Sequence, residues 1–511
     1  MHTSKVKPLM VLFSLIILSF SSLFPLTAFA EDGTAPVVDT TTTTTTEQVM
    51  VAEDIMTIAR NAGYQVDDVY RPAASIVIEA NSGQVIWADQ PDLVWYPASI
   101  AKMMTVYLLL DAITAGTLTL DTPVTATASD QAISEIYELS NSPIVAGVAY
   151  PVRDLLYMTT MASSNAATVM LANLVSANDA AAFIGKMNEK AANIGMTNTM
   201  FYNPSGAAAS AFNGYYAPVG IDPEADNTST ARDLALMFYH LLKDHPEVLE
   251  YTNKHQVTVM ENTEYAAVLE NSNRSIPGAL YGYEGEDGLK TGSSPEAAYN
   301  YAATAKRGDL RLIEVVLGVG SWEDAESENY RHVFGNALFD YGFNNFEYKS
   351  LLPAGTQNIN GTEIILDQDF YGLLRKDTQP EFILSDNQQL ILSNQLEEVS
   401  TSLPAPSISY KVKEAEKPAA TENTGKKEAA APTSLLGKVK QSWKEYALAG
   451  GLLLLTIILL LISRARGSNS RKTRKRATSR KQTAFLLSII CFLLTLGVAA
   501  YTFIQGPWLP F

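Results

Sequence analysis

Cysteine is almost absent from this chain of 511 residues, where Cys491 is the single example. A lone cysteine cannot form an intramolecular disulfide, so the folded part must gain its stability from packing. Histidine is also scarce, and the five histidines are His2, His240, His245, His255 and His332. None has the His-Glu-x-x-His spacing of a zinc peptidase, and we therefore predict neither a metal site nor a cofactor.

Positive charge is in short supply as well. The 37 lysines and arginines are outnumbered by 54 aspartates and glutamates, which gives a formal net charge of -17. Basic residues cluster at 464–483, so the rest of the chain is more acidic still. An acidic body disfavours a nucleic-acid partner.

Long apolar runs are confined to the two ends of the chain. At the N-terminus, residues 9–26 are apolar, two lysines precede them, and Ala28-Phe29-Ala30 follows them. This order is typical of a signal peptide over residues 1–30 that is cleaved after Ala30, and an uncleaved membrane anchor is the alternative.

The apolar runs near the C-terminus, 446–463 and 484–505, are each about long enough to span a bilayer as a helix. The basic residues 464–483 lie between them, and the positive-inside rule predicts this loop in the cytoplasm. A nucleic-acid-binding patch is the alternative interpretation of the loop. Polar linkers are predicted at 31–48, which is rich in threonine, and at 413–433. We therefore predict a cell-membrane protein with its folded part on the extracellular face.

The segment between the linkers combines strand and helix patterns. Residues 75–79 and 84–88 flank the glycine-containing turn 80–83, which predicts a β-hairpin. Residues 112–271 are mostly helical in pattern. Further strands are predicted at 289–292, 299–305 and 310–317. This order predicts an α/β domain over 49–345, and the short alternations after it predict a small all-β domain over 346–412.

Ser99 and Lys102 stand three residues apart at a predicted helix start. Pro97 suits such a start, and no further Pro or Gly follows up to Leu110, so both side chains are expected on one helix face. A serine becomes a nucleophile when a base takes its proton, and a lysine is such a base when burial or a second cation lowers its pKa. An ordinary helix start with a solvated lysine is the alternative.

Two more short motifs follow in the chain. Ser163-Ser164-Asn165 lies in a predicted helical segment and its following turn, and Lys290-Thr291-Gly292 lies on a predicted strand. Each motif alone is weak evidence. Together, in this order and behind a signal peptide, the three motifs are hard to attribute to coincidence.

With these motifs the chain resembles the low-molecular-weight penicillin-binding proteins, the serine D-alanyl-D-alanine carboxypeptidases. The resemblance covers roughly residues 74–412. It implies the serine β-lactamase and penicillin-binding (transpeptidase-like) fold, an α/β sheet with a helical subdomain, followed by a small all-β domain and membrane helices. It also implies a peptidoglycan stem peptide ending in D-Ala-D-Ala as substrate, and β-lactams as covalent inhibitors.

The resemblance also implies roles for individual residues in acylation. Ser99 would be the acylated nucleophile and Lys102 its proton acceptor. Ser163 and Asn165 would relay protons and contact the substrate amide. These roles agree with the chemistry, because a second lysine in the pocket would favour the neutral form of the base.

The third motif would bind the substrate. Lys290 would raise the local positive potential, and Thr291 and Ser293, on either side of Gly292, would hold the terminal carboxylate. The backbone N–H groups of Ser99 and Ser293 would form the oxyanion hole.

The sequence departs from the family pattern at several positions. Ala166 and Ala167 follow Asn165 where Asp-Ala is more familiar, Ala298 stands where glycine is common, and Ser205 stands where histidine is frequent. None of these changes removes a motif residue. Arg274 is either an additional carboxylate contact or a surface arginine.

Two other functions stay open at this point. A β-lactamase shares the acylation machinery, but the Glu-x-x-Leu-Asn stretch of the class A enzymes is absent. A catalytically silent wall-binding protein is the other alternative, and the complete motifs count against it. The sequence therefore favours hydrolysis of the terminal D-alanine from stem pentapeptides.

Overall fold

The computed structural model describes residues 53–413. The predicted signal peptide, the threonine-rich linker, nearly all of the second linker, both predicted spans and the basic loop lie outside the described residues. Within 53–413, no single helix meets the length and apolarity needed to cross a bilayer, although the bent pair Asn165–Val175 and Ala180–Ile194 meets them together.

The helices and strands follow the chain in this order. The α-helices are α1 Ile55–Asn61, α2 Lys102–Thr114, α3 Ala128–Ser134, α4 Val152–Thr160, α5 Asn165–Val175, α6 Ala180–Ile194, α7 Ala231–Asp244, α8 Leu249–Thr252 and α9 Ser327–Asn345. The strands are β1 Ala74–Glu79, β2 Val85–Asp89, β3 Pro123–Thr125, β4 Ala149–Pro151, β5 Gln256–Val259, β6 Ala267–Glu270, β7 Glu286–Ser294, β8 Ala298–Arg307, β9 Leu310–Val319, β10 Phe346–Leu352, β11 Gly355–Ile359, β12 Thr362–Leu366, β13 Phe370–Arg375, β14 Phe382–Leu384, β15 Gln389–Leu392 and β16 Ser407–Val412. Short 3-10 helices occupy Asp68–Tyr70, Ala98–Ala101, Ala209–Phe212 and Pro246–Val248.

A five-stranded antiparallel sheet in the order β2-β1-β9-β8-β7 forms the centre of the larger domain. In β9, Ile313 and Val315 belong to the core under the helical subdomain, whereas Leu312 and Val316 belong to the core under α1 and α9. Successive side chains of a strand point to opposite faces, so β9 is apolar on both faces because both are covered. The domain therefore has helices on either side of one sheet.

The helical subdomain fills the segment between β2 and β7. Helix α2 has buried residues around its whole circumference, which is typical of a helix in the middle of a core. Helix α7 begins where the Thr230 hydroxyl caps it by accepting a hydrogen bond from the Asp233 N–H at 3.0 Å. The predicted combination of a sheet and a helical subdomain is confirmed.

Helix α9 is the element that the sequence did not indicate. It packs on the outer face of the sheet through side chains such as Phe334 and Leu338. Gly335 lies against that sheet so closely that a Cβ there would sit 2.4 Å from a carboxyl oxygen of Glu314. The buried Arg331 of α9 contacts Ser293 on β7, and this contact is important for the site described below.

A small β domain follows α9. Its main sheet has the order β11-β12-β16-β15-β14, and β10 pairs with β13 beside it. The predicted all-β domain is confirmed. The segment after β15 returns to the larger domain, where the Val85 N–H donates to the Glu397 carbonyl at 2.7 Å and the side-chain amides of Gln84 and Asn394 bond to each other at 3.0 Å. The two domains therefore share hydrogen bonds as well as apolar contacts.

Candidate active site

Ser99 and Lys102 lie at the junction of a 3-10 turn and a helix. The predicted uniform α-helix from Pro97 is wrong in its first turn, because Ala98–Ala101 is a 3-10 helix and α2 begins at Lys102. In a 3-10 helix, residues three apart are eclipsed, so the two side chains still point the same way. The Lys102 Nζ lies 3.0 Å from the Ser99 Oγ.

The turn that carries Ser99 is held by very close backbone contacts. Ala98 has a φ of 47°, which a side chain tolerates poorly. A Cβ at Gly206 would lie 1.9 Å from the Ala98 carbonyl oxygen, and a Cβ at Gly292 would lie 2.6 Å from that of Pro97. Glycine at both positions lets a loop and a strand approach the turn from two sides.

Lys102 is fully buried among polar partners. Its Nζ lies 3.0 Å from the Asn165 Oδ1 and 2.7 Å from the Ser205 carbonyl oxygen. Burial, with a smaller contribution from the charge of Lys290, holds the pKa of Lys102 well below its usual range. A neutral amine has two hydrogens and one lone pair. Because both oxygens can only accept, the two hydrogens bond to them and the lone pair is left for the Ser99 hydroxyl.

Ser163 lies in a break between two helices, and Asn165 lies at the start of the second. Ser163, with a φ of 58°, lies between α4 and α5, and Asn165 is the first residue of α5. The Ser164 hydroxyl caps α5 by accepting from the Ala167 N–H at 3.2 Å, which explains why the helix restarts there. Both the backbone N–H and the Nδ2 of Asn165 donate to the Ser140 carbonyl at 2.9 Å. The Asn165 side chain is therefore fixed with its oxygen toward Lys102.

Lys290 lies on β7 across the pocket from Lys102. It is fully buried and its Nζ donates to the Ser163 Oγ at 2.9 Å. Burial, reinforced by the charge of Arg331, lowers the pKa of Lys290 to about 7. Ser163 thus joins a lysine on the sheet to the break in the helical subdomain.

The next residues of β7 present hydroxyl groups. The Thr291 Oγ1 lies 2.9 Å from the Ser272 Oγ, and the Ser293 Oγ accepts a hydrogen bond from the Arg331 Nη1 at 2.9 Å. Arg331 comes from α9 and is fully buried, and its pKa is lowered by this burial to about 10, so it remains charged at neutral pH. No short motif surrounds Arg331 in the sequence, and only a correct placement of α9 would have identified it.

Arg274 makes its contacts away from the β7 hydroxyls. Its guanidinium donates to the Glu328 carboxylate at 3.2 Å and to the Asn329 Oδ1 at 2.9 Å, both on α9. Glu328 also accepts from Arg331 at 2.9 Å. A contact between Arg274 and the substrate carboxylate therefore stays a prediction, while the arginine beside Ser293 is Arg331.

The departures from the family pattern have simple structural settings. Ala166 and Ala167 are buried in α5, where a charged residue would need a partner. Ala298 has a φ of 50°, a conformation that glycine adopts more easily. Among the described residues, the buried Ser205 hydroxyl has no hydrogen-bond partner, and it is the carbonyl of this residue that contacts Lys102.

The arrangement suits acyl transfer to a serine. It joins a hydroxyl, a buried amine within hydrogen-bond reach, and a second lysine with an arginine at the far side of the pocket. Among residues 53–413 there is no group of three or more His, Cys, Asp or Glu side chains placed to hold a metal ion.

Comparison with known proteins agrees with this chemistry. Residues 46–321 match the family described as D-alanyl-D-alanine carboxypeptidase, and residues 348–411 match a domain of unknown function. D-alanyl-D-alanine carboxypeptidase DacF of Bacillus subtilis is 30% identical over 292 residues, which are 57% of this chain and 67% of the relative. D-alanyl-D-alanine carboxypeptidase DacA of Escherichia coli is 27% identical over 331 residues, 61% of this chain and 74% of the relative.

Solved structures show the same fold. The crystal structure of a peptidoglycan synthesis regulatory factor (PBP3) from Streptococcus pneumoniae aligns with a TM-score of 0.58 at 24% identity, over 66% of this chain and 97% of that one. Penicillin binding protein 5 from Haemophilus influenzae aligns with a TM-score of 0.52 at 24% identity, over 68% of this chain and 98% of that one. The chain therefore has the α/β penicillin-binding fold followed by a small β domain.

Proposed function

The chain belongs to the D-alanyl-D-alanine carboxypeptidase family of serine peptidases, and from that premise we propose that Ser99 is the nucleophile that removes the terminal D-alanine from peptidoglycan stem pentapeptides. The observation that carries this assignment is the 3.0 Å contact between the Ser99 Oγ and a buried Lys102 whose pKa is lowered. The protein's substrate is then a peptide that ends in D-Ala-D-Ala.

Acylation begins with proton transfer from the Ser99 hydroxyl to the neutral Lys102 amine. The Ser99 oxygen attacks the carbonyl carbon between the two D-alanines, and backbone N–H groups of Ser99 and Ser293 hold the developing oxyanion. The C–N bond then breaks. The departing amine takes up the proton that Lys102 received from Ser99, passed on through the Ser163 hydroxyl, which Lys290 holds at 2.9 Å. Lys102 is then neutral again. The products are free D-alanine and an ester on Ser99.

Deacylation reverses the proton transfers with water in place of the amine. Water enters where D-alanine has left, Lys102 accepts a proton from it, and the resulting hydroxide attacks the ester carbonyl. The C–O bond breaks and Ser99 recovers its proton. The shortened peptide leaves as a carboxylic acid.

The carboxylate of the substrate is assigned to the hydroxyl-lined end of β7. Thr291 and Ser293 donate to it, and Arg331 with Lys290 supplies positive charge from behind. Gly292 supplies no side chain, which leaves β7 in contact with the Ser99 turn. A cationic pocket with two hydroxyls discriminates in favour of a free C-terminus.

The same serine would capture β-lactams, because their strained amide occupies the place of the D-Ala-D-Ala bond. A penicilloyl ester on Ser99 keeps the leaving amine tethered, so water does not gain the space that free D-alanine vacates. The sequence has no Glu-x-x-Leu-Asn stretch that would supply a class A deacylation base. We therefore rank carboxypeptidase above β-lactamase.

Release of D-alanine from a soluble pentapeptide ending in D-Ala-D-Ala tests this function. We expect steady turnover of the peptide, slow hydrolysis of penicillin, and loss of both in Ser99→Ala. Rapid multiple-turnover hydrolysis of penicillin without release of D-alanine would reverse the ranking.

The location of the protein is also part of the proposal. The apolar runs 446–463 and 484–505, with the basic loop 464–483 between them, support a double span with the loop in the cytoplasm. A signal peptide cleaved after Ala30 would export the catalytic domain to the outer face, where its substrate lies.

A further inference from the structure

A cleft lies where the β domain meets the larger domain, away from Ser99. Its volume is about 410 Å3, within the range of about 300–1,000 Å3 that is usual for small-molecule sites, which often lie at domain interfaces. The larger domain contributes the β1–β2 turn at Ser82 and the end of α7 at Tyr239. The β domain contributes Tyr348 and Tyr371.

The cleft is separate from the catalytic pocket. Helix α7 begins close to the segment that leads to Ser99. The backbone N–H of Trp95 donates to the carbonyl of Ser229, just before the helix, at 2.7 Å. Lys243, which lines the cleft, lies twelve residues after the first residue of the helix, or about 18 Å along its axis. A ligand in the cleft would therefore not touch Ser99.

Aromatic rings form one side of the cleft. Tyr348 and Tyr371 stack with their centroids 6.1 Å apart and an angle of 23° between the rings, and Tyr371 remains 43% exposed. A stacked tyrosine with a free face offers a flat apolar surface bordered by a hydroxyl. The C–H faces of a pyranose ring are apolar and its edges carry hydroxyls, so the two surfaces are complementary.

Several polar groups line the cleft beside these rings. The hydroxyls of Tyr239, Tyr348 and Tyr371 and the exposed side-chain amide of Gln368 belong to residues that line it. Burial raises the pKa of Tyr348 to about 12, so its hydroxyl stays protonated and able to donate. These groups are available to the hydroxyls and acetamido groups of a sugar.

The charges of the cleft argue against a charged ligand. One lysine, Lys243, and one aspartate, Asp369, line it, so their charges cancel. A polyanion would need several cations, and an extended cationic peptide would need several carboxylates. A neutral ligand with hydroxyl and amide groups fits best.

We propose that this cleft binds the glycan chain of peptidoglycan through its N-acetylated amino sugars, and that the β domain holds polymeric substrate while Ser99 processes its stem peptides. The inference rests on the proposed function, because that function makes a peptide-bearing glycan the substrate. It assigns a ligand to the domain of unknown function at 348–411.

Binding of the N-acetylglucosamine tetramer to the full-length chain, in a detergent without sugar, is the first test. We expect saturation transfer from the protein to the protons of the tetramer, and a loss of affinity of roughly tenfold or more in Tyr371→Ala, as for a central aromatic contact. Gln368→Ala, which changes an exposed polar group, should weaken binding as well. Tyr137→Ala is the matched control, because Tyr137 is 96% exposed and is not part of the cleft.

Turnover of two substrates separates this inference from the proposed function. With isolated polymeric peptidoglycan, Tyr371→Ala should raise KM by roughly tenfold, and with a soluble pentapeptide its kcat/KM should stay within about twofold of the unmodified protein. The absence of D-alanine release from any substrate would contradict the proposed function. The binding of the tetramer would still test the glycan site.

Three outcomes would overturn the glycan site. They are no tetramer binding at millimolar concentration, unchanged binding in both Tyr371→Ala and Gln368→Ala, and occupation of the cleft by a peptide of residues 413–433 in place of the tetramer. The last result would assign the cleft to the chain's own linker.

Discussion

Two buried lysines in one pocket set the chemistry at the residue scale. Lys102 and Lys290 are both fully buried, and the charge of Lys290 lowers the pKa of Lys102 further. Lys102 must be neutral to accept the Ser99 proton, whereas Lys290 must be charged to attract the substrate carboxylate. Activity therefore requires a pH at which Lys102 is neutral while Lys290 still carries its charge.

The first prediction concerns this pH dependence. The kcat/KM for the pentapeptide should rise as Lys102 loses its proton and should fall as pH increases through about 7, where Lys290 loses its own. Lys290→Arg keeps a positive charge at all these pH values, so its falling limb should move to higher pH. A falling limb at the same pH in a folded Lys290→Arg variant would remove Lys290 from this role.

The second prediction concerns the contact between β7 and the Ser99 turn. A Cβ at Gly292 would lie 2.6 Å from the Pro97 carbonyl oxygen, so Gly292→Ala should push the strand away from the nucleophile. We expect penicillin acylation to fall at least tenfold and the free energy of unfolding to fall by about 1–3 kcal/mol, as for overpacking.

Gly185→Ala in α6 is the control for that substitution. No atom lies within 4 Å of a Cβ built at Gly185, and alanine favours a helix over glycine by about 1 kcal/mol. Stability should rise slightly and acylation should not change. Equal effects of the two substitutions on acylation would contradict the close-contact argument.

At the scale of elements, the sequence predicts the helices and strands that a short motif or a regular pattern of apolar residues marks. The β1–β2 hairpin and strands β7 to β9 follow from short apolar runs bounded by turn residues. Helix α9 did not follow, because Gly335 and Gly342 interrupt its helical propensity and Arg331 occupies a buried position. Only the tertiary structure explains both glycines. A Cβ at either position would lie 2.4–2.5 Å from a side-chain atom of the sheet.

The two turns that carry site residues were also beyond local reasoning. A 3-10 turn at Ser99 and a break at Ser163 both involve positive φ values, at Ala98 and at Ser163 itself. Neither an alanine nor a serine in the sequence predicts a positive φ. The surrounding contacts impose it, such as the approach of Gly206 to Ala98.

The third prediction decides between the two arginines that α9 brings together. Arg331 donates to Ser293 at 2.9 Å, whereas Arg274 donates to Glu328 and Asn329. Arg331→Lys keeps a charge but loses the planar fork, so KM for the pentapeptide should rise by roughly tenfold with a smaller change in kcat. Arg274→Lys is the matched control and should change KM by less than about twofold. The opposite ranking would make Arg274 the carboxylate contact.

At the scale of the whole molecule, the site is assembled from distant parts of the chain. Lys102 and Lys290 belong to two of the three short motifs that the sequence presents, and Arg331 belongs to none. The motifs were readable because their residue types and order are specific, while Arg331 depends on how α9 packs on the sheet.

The fourth prediction concerns topology and uses the single native cysteine. In a Cys491→Ala background, Ser470→Cys in the basic loop should resist a membrane-impermeant thiol reagent in intact cells. Thr421→Cys in the second linker should react, because that linker is expected outside. The reverse pattern would overturn the orientation and, with it, access to an extracellular substrate.

The central claim is that Ser99 is activated by Lys102, and mass spectrometry of the full-length chain after incubation with penicillin tests it most directly. We expect one penicilloyl adduct that maps to Ser99, no adduct in Ser99→Ala, and acylation slowed by roughly 10²-fold or more in Lys102→Ala. An adduct on another serine, or unchanged acylation in a folded Lys102→Ala variant, would contradict the account.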